Sequence, residues 1–527
     1  MITGENYIGY KTSKLGGKAF KTFDPKLNLE TEWTFYESTP SEVKEAVDLA
    51  WAAYLEFRYF SGKRRATFLR KIAGNIEDLG DELIQVYCKE TGLPEGRAKG
   101  ERGRTCFQLR TFAELLEEGS WVNATIDTSV PNREPQPKPD LRKMKVPIGP
   151  IAVFGASNFP LAYSTAGGDT ASALASGCPV VVKSHPMHAG TGELVASAIV
   201  RAARETGMPN GVFSNLNSSG IEVGKQLVKQ PKIKGVGFTG SIAGGRALFD
   251  IAAQREEPIP VFAEMGSVNP VVFLPEALRL KGKQWGEIYA GSITLGTGQF
   301  CTNPGLLFGI KGDALDAFIH TLSEEIIKIE PSCMLHPNII SKYNDYRQAV
   351  LNEENTTVTA AYTHDVELNH ANQTIAKVSG ETFINNPRLH QEVFGPFSMI
   401  VECENEQELV KAISGLEGQL TGTILGMENE MDAYGPVVTS LENRVGRLIF
   451  NGVPTGVEVC PSMQHGGPYP ASTDSRFGAV GIDAIQRWVR PISYQNWPNH
   501  LLPEALKNEN PLGIQRLVNN KKTNTPI

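Results

Sequence analysis

The chain is poor in cysteine: its 527 residues hold seven (Cys88, Cys106, Cys178, Cys301, Cys333, Cys403 and Cys460), an odd number, widely spread, with no two in a C-x-x-C spacing. That pattern fits neither a disulfide framework nor a zinc site, so no metal is expected. Long apolar runs are also missing. The one long uncharged stretch, residues 146–168, contains Pro147, Pro150, Pro160, Asn158 and several glycines, which a membrane-spanning helix hardly tolerates together. It reads instead as buried strand, loop and helix start. Residues 1–20 lack the apolar core of about 7–15 residues that a secretory signal needs, so a reducing cytoplasm is the expected compartment, with no membrane partner. Positive charge is not in excess either: 51 Lys and Arg face 58 Asp and Glu, for a net charge of -7. A protein that holds nucleic-acid phosphates needs a concentrated basic face, and no nucleic-acid partner is expected.

What is present is a chain with a full core, 41% hydrophobic and 21% charged. At roughly 150 residues per domain it holds more than one domain. Its first 125 residues or so read as helices. Thr39-Pro40-Ser41-Glu42 forms a capping box with proline at the first helical position, and Val43, Val47, Ala50 and Tyr54 follow at helical spacing. Further helices are expected over 63–73, 78–91 and 95–118, the last placing Arg104, Gln108 and Thr111 on one face. Residues 121–145 turn Pro-rich and polar, a crossing segment rather than core. From Pro147 onward, strands expected at 151–154, 180–183, 212–215, 235–238, 260–264 and 270–274 alternate with helices such as 191–206. A second alternating region spans 271–449, and a strand-like piece lies near 489–494. Repeated βα units with continuously apolar strands imply an α/β protein with parallel sheets covered on both faces. Ligands in such sheets bind beyond the carboxyl ends of the strands, here after Phe154, Lys183 and Phe238.

Phe238-Thr239-Gly240-Ser241, with Gly244 and Gly245, follows a strand and opens a helix whose free N–H groups suit a phosphate; close packing of helix on strand accounts for the glycines equally well. Cys301 is flanked by loop formers in Gly298-Gln299-Phe300-Cys301-Thr302-Asn303-Pro304-Gly305, as a nucleophile or as a small buried hydrophobe. Glu264 ends an apolar strand, and Asn158 lies just past another strand end, where its amide can donate to an oxyanion or close an Asx turn.

Together, Asn158-Phe159-Pro160, Val181-Val182-Lys183, Phe238-Thr239-Gly240-Ser241 with Gly245, Glu264-Met265-Gly266, Gly298-Gln299-Phe300-Cys301 and Glu392-Val393-Phe394-Gly395-Pro396 resemble the ordered motif set of the aldehyde dehydrogenase superfamily, over residues 30–495. Gly155-Ala156-Ser157-Asn158, Lys183-Ser184-His185-Pro186 and the 461–470 segment containing His465 resemble the branch of 2,5-dioxopentanoate (α-ketoglutaric semialdehyde) dehydrogenases and bacterial fatty aldehyde dehydrogenases.

The resemblance implies two Rossmann-like parallel-sheet domains and a small oligomerisation arm: residues 1–124 and 146–265 for NAD(P), 266–455 for catalysis, 125–145 and 484–500 for the arm, then a polar tail over 501–527. A homodimer or homotetramer follows. It also implies Cys301 as nucleophile, Asn158 as oxyanion donor and Glu264 as general base. Thr239, Gly240, Ser241 and Gly245 would line the pyrophosphate, Lys183 the adenosine ribose or its 2′-phosphate, and Glu392 and Phe394 the nicotinamide ribose. Pro186 stands where NAD-selective members carry an acid, which admits NADP and favours it slightly; yet 218–222 offers no arginine to clamp a 2′-phosphate, so NAD also stands. His465, in a Gly-Pro-rich loop, is either an accessory proton carrier or a surface residue. Arg104 lands where the family's substrate tunnel is lined and would hold a substrate carboxylate, unless it is one more solvated arginine beside Arg97, Arg102 and Arg110. The expected reaction is oxidation of 2,5-dioxopentanoate to 2-oxoglutarate. The alternatives are a long-chain or aromatic aldehyde, a thioester passed to another acceptor, and a catalytically silent paralogue.

Overall fold

A computed structural model describes residues 2–527. The expected capping box forms: Thr39 accepts from the Glu42 N–H while the Glu42 carboxylate accepts from the Thr39 N–H, and helix Pro40–Phe57 buries Val43, Val47, Ala50 and Tyr54. Helices Gly62–Glu77, Gly80–Thr91 and Glu95–Glu118 follow, the latter two closed by Gly92 and Gly119 in the left-handed conformation that glycine adopts without strain. Their apolar faces pack, with helix Ala189–Glu205, against a sheet.

That sheet has seven strands in the order 261–264, 235–239, 151–154, 180–183, 213–216, 6–8 and 11–13, the first five parallel. Its register decides where chemistry can sit. Phe154 stands opposite Lys183 and Phe238, and Thr239 opposite Glu264, so all five reach the same carboxyl edge. A second seven-stranded sheet, in the order 357–361, 374–379, 397–403, 306–310, 271–273, 419–425 and 445–450, is parallel except for its first strand. The two sheets are joined through residues 265–270. A third sheet orders 489–495, 141–147, 125–127, 516–518 and 521–523, with Val489–Gln495 antiparallel to Leu141–Pro147.

Two expectations change. Residues before the first helix are not helical: Asn6–Ile8, Lys11–Ser13, Ala19–Asp24 and Leu29–Tyr36 are strands. The first two are short, one of them fixed by a distant partner, Tyr7 opposite Asn215, and the last two alternate apolar with polar residues as a hairpin. The 501–527 segment is not a bare polar tail. Arg516–Val518 runs parallel to Thr125–Asp127, and Leu502, Leu506, Ile514 and Val518 close a small core on Ala124 and Ile126. No helix of the described residues is long and apolar enough to cross a membrane.

Candidate active site

Glu264 ends its strand, and segment 463–473 is laid across that end: Glu264 bridges to Ser472, and the Met265 N–H donates to the Ala471 carbonyl at 2.8 Å. This brings in His465, whose own carbonyl accepts from the Ala479 N–H at 3.0 Å. His465 is 1% exposed, so it is a buried, fixed residue rather than one on a mobile surface loop. Its Nε2 lies 2.7 Å from Glu264 Oε1 and 3.6 Å from Cys301 Sγ. Neither Glu264 oxygen has a hydrogen-bond partner, so the 2.7 Å contact sets charge against charge without an in-line N–H. Burial disfavours an imidazolium, but the Glu264 carboxylate, Tyr163 and the Cys301 sulfur outweigh it and hold His465 well above its ordinary 6.5.

Cys301 follows a tight turn in which Gly296, Thr297 and Gly298 all have positive φ. A Cβ on Gly298 would fall 2.2 Å from the Gly395 carbonyl oxygen, so only glycine lets the two segments cross here. Buried amides hold the loop. Asn269 Nδ2 donates to the carbonyls of Cys301 (2.9 Å) and Asn303 (2.8 Å), while Gln299 Oε1 accepts from the Leu335 N–H at 3.0 Å. Asn158 Nδ2 donates to the Gln299 carbonyl at 3.0 Å, which sets the amide beside the loop of Cys301.

Arg97 forms a wall of the site. Its guanidinium lies between the rings of Phe159 (4.4 Å) and Phe300 (4.6 Å), donates to the Asn158 carbonyl at 3.3 Å and pairs with Glu101 at 3.6 Å. Glu101 in turn accepts from the Leu161 and Ala162 N–H groups at 2.8 and 2.9 Å. Further along the same helix, Arg104 donates through Nη2 to Tyr163 Oη and to the Val457 carbonyl, both at 3.2 Å. Its buried Nη1 has no partner. The Tyr163 ring lies 5.9 Å from that of His465.

The residues expected around a dinucleotide separate into groups. Gly240 and Ser241 are exposed, and Ser241 caps helix Ile242–Ala253 by accepting from the Gly244 N–H at 3.2 Å. Thr239 is half-buried at the strand end. Gly245 is buried, and a Cβ there would meet Met265 Sδ at 2.5 Å, so it serves helix-on-strand packing rather than facing outward. Burial pushes the Lys183 ammonium down to about 8, with Glu37 opposing. Glu392 and Phe394 line one cleft with Gly298, Phe300 and Ser267. Burial raises the Glu392 carboxyl to about 7 against a hydrogen bond from the Ser267 backbone.

Sequence reading missed Asn269, Arg97 and Glu101. Asn269 has a positive φ of 46° and sits five residues after Glu264, a position at which asparagine tolerates the left-handed region; that was the available signal. Nothing local marks Arg97 apart from its neighbours.

The site and fold define a cysteine-dependent oxidoreductase architecture, and comparison agrees: the model of the aldehyde dehydrogenase family matches residues 11–488. The chain belongs to the aldehyde dehydrogenase family and is an aldehyde-oxidising enzyme that uses NAD or NADP. It is 45% identical over 490 residues to the α-ketoglutaric semialdehyde dehydrogenase of Acinetobacter baylyi, covering 93% of each chain. It is 44% identical over 521 residues to α-ketoglutaric semialdehyde dehydrogenase 2 of Azospirillum brasilense, covering 99% of each. Among solved structures, 1-pyrroline-5-carboxylate dehydrogenase from Thermus with bound NAD shares the fold with a TM-score of 0.79 at 20% identity, over 93% of this chain and 92% of that one.

Proposed function

We propose that the enzyme oxidises α-ketoglutaric semialdehyde (2,5-dioxopentanoate) to 2-oxoglutarate, and the observation that carries the substrate is the orphaned Nη1 of Arg104. A buried guanidinium N–H without a partner is costly, and a carboxylate satisfies it with a charge-assisted bond. The two relatives above, which bear the name of this activity, support the same reading.

The Cys301 sulfur attacks the aldehyde carbon as the thiolate, its proton having passed to solvent and its charge offset by the His465 imidazolium 3.6 Å away. A C–S bond forms, and the carbonyl π pair moves to oxygen. The Asn158 amide and the Cys301 N–H stabilise that oxyanion. When bound, a nicotinamide cofactor would supply the hydride acceptor that turns this adduct into a thioester on Cys301. Glu264 then takes a proton from water, whose oxygen attacks the thioester carbon; the C–S bond breaks and the acid is released.

The residues present fit a dinucleotide. The exposed Gly240–Ser241 turn at a helix N-terminus offers N–H groups to the pyrophosphate. Thr239 flanks it, and Gly245 lets that helix sit close to Met265. Lys183 would hold the adenosine ribose, while Glu392 and Phe394 would hold the nicotinamide ribose. We propose that NADP is accepted with slight preference over NAD because Pro186 puts no acid beside Lys183; Glu37, fixed by the Ser219 N–H at 3.0 Å, limits that preference. Residues 1–124 and 146–265 form the cofactor unit and 266–455 the unit carrying Cys301. The edge strand Val489–Gln495 with 125–145 joins copies into a homodimer or homotetramer.

The test is kcat/KM for 2,5-dioxopentanoate against a long-chain aldehyde at saturating cofactor. A preference of about a hundredfold for the oxo acid, worth about 2.7 kcal/mol, is expected. A preference for the long chain overturns the substrate assignment.

A further inference from the structure

Cysteine spacing shows no metal site, yet the fold assembles one set of mixed donors from three distant segments. Cys301 Sγ, His465 Nε2 and a Glu264 carboxylate oxygen all lie within 4.8 Å of one another. Two features distinguish this set from a chance cluster. His465 and Glu264 are 1% and 5% exposed, and both Glu264 oxygens lack hydrogen-bond partners although they face the cluster. A buried carboxylate with spare lone pairs, an imidazole nitrogen and a sulfur are the ligand types that Zn²⁺ takes in three-ligand sites with one open position.

Two of the three donor separations can be set against that ion, and the third is at most 4.8 Å. Zinc–ligand bonds of about 2.0–2.3 Å in a tetrahedron place donors about 3.3–3.6 Å apart. The Sγ–Nε2 separation of 3.6 Å already fits. The Nε2–Oε1 separation of 2.7 Å has to open by somewhat more than half an ångström; no hydrogen bond resists that rotation of the Glu264 carboxyl, and the ion pair it loosens is replaced by bonds to the divalent cation.

We propose that Cys301, His465 and Glu264 form a site for Zn²⁺ whose occupation reversibly silences the enzyme. On binding, the thiol proton of Cys301 and the Nε2 proton of His465 pass to solvent, and S–Zn, N–Zn and O–Zn bonds form with no change of oxidation state. The binding stands on geometry alone; its consequence for turnover rests on the roles proposed above for the same residues.

Cobalt(II) reports this directly. Titration of the reduced full-length enzyme with Co²⁺ is expected to give, at one equivalent, a near-ultraviolet thiolate charge-transfer band with the visible spectrum of four-coordination, both removed by Zn²⁺. Cys301→Ser is expected to abolish the band. His465→Gln and Glu264→Gln are each expected to weaken Zn²⁺ at least about tenfold in competition with a chromophoric chelator, with folding checked by circular dichroism. In the unmodified enzyme Zn²⁺ is expected to slow alkylation of Cys301 by iodoacetamide. A band that survives Cys301→Ser, or Zn²⁺ affinity unchanged in His465→Gln, overturns the proposal. Zinc bound with the thiolate band but without loss of turnover supports the site and instead contradicts the catalytic role of Cys301.

Discussion

Arg97 and Arg104 stand two turns apart on one helix, so they face the same way, and they differ in how completely they are satisfied. Arg97 is held by two aromatic rings, a carboxylate and a backbone carbonyl. Arg104 has one nitrogen engaged and one buried nitrogen without a partner. A cation clamped between two rings and a carboxylate is part of the wall. A cation with a buried N–H left over suits the carboxylate of the proposed substrate. On that proposal the contrast separates a half of the site that positions Cys301 and Asn158 from a half that reads the substrate.

The largest effect comes from removing what both halves serve. Cys301→Ala is expected to lower kcat by at least about 10⁴-fold for every aldehyde, with unchanged circular dichroism and cofactor affinity by fluorescence titration. His465→Gln is expected to cost about 10²-fold in kcat/KM near neutrality, since the thiolate loses the cation beside it. It also carries a pH signature. The folded-state value of His465 lies well above 6.5, so its contribution to stability is complete below 6.5 and fades as pH rises through the folded value. The gap in stability between the parent and His465→Gln is therefore expected to be widest near about pH 6 and to narrow in alkali, read by denaturant unfolding across pH.

Arg97→Met is expected to lower stability by about 2 kcal/mol and kcat by about tenfold for charged and uncharged aldehydes alike, because it frees Phe300 and Asn158. Equal loss on both substrate classes is what marks Arg97 as a positioning residue. The smallest effect is expected beside Lys183. Glu37→Gln is expected to raise the NADP-to-NAD ratio of binding constants a few-fold by removing a negative charge near Lys183, measured by calorimetry.

Much of this was legible in the residues because strand ends and glycine turns leave local marks. The strands ending at Phe154 and Lys183 begin and end where the apolar runs do, and Asn158 follows the first of them. Contacts made by long-range folding left none. The meeting of His465 with Cys301 depends on segment 463–473 crossing the end of another strand, and a Gly-Pro-rich sequence looks like surface loop until that crossing is known. The C-terminal strands escaped notice for a related reason: Arg516–Val518 and Lys521–Thr523 are three residues each in a polar stretch, and the apolar partners Ala124 and Ile126 are supplied from a distant part of the chain. Arg97 and Arg104 look alike in sequence, and only their surroundings divide them.

The most direct measurement is therefore kcat/KM of Arg104→Met with 2,5-dioxopentanoate and, side by side, with an uncharged aldehyde of similar length. Loss of about a hundredfold on the oxo acid alone, with stability within about 0.5 kcal/mol of the parent, is the expected result. Equal turnover of the oxo acid by parent and variant, or equal losses on both aldehydes, would contradict the assignment of Arg104 as the substrate's carboxylate partner.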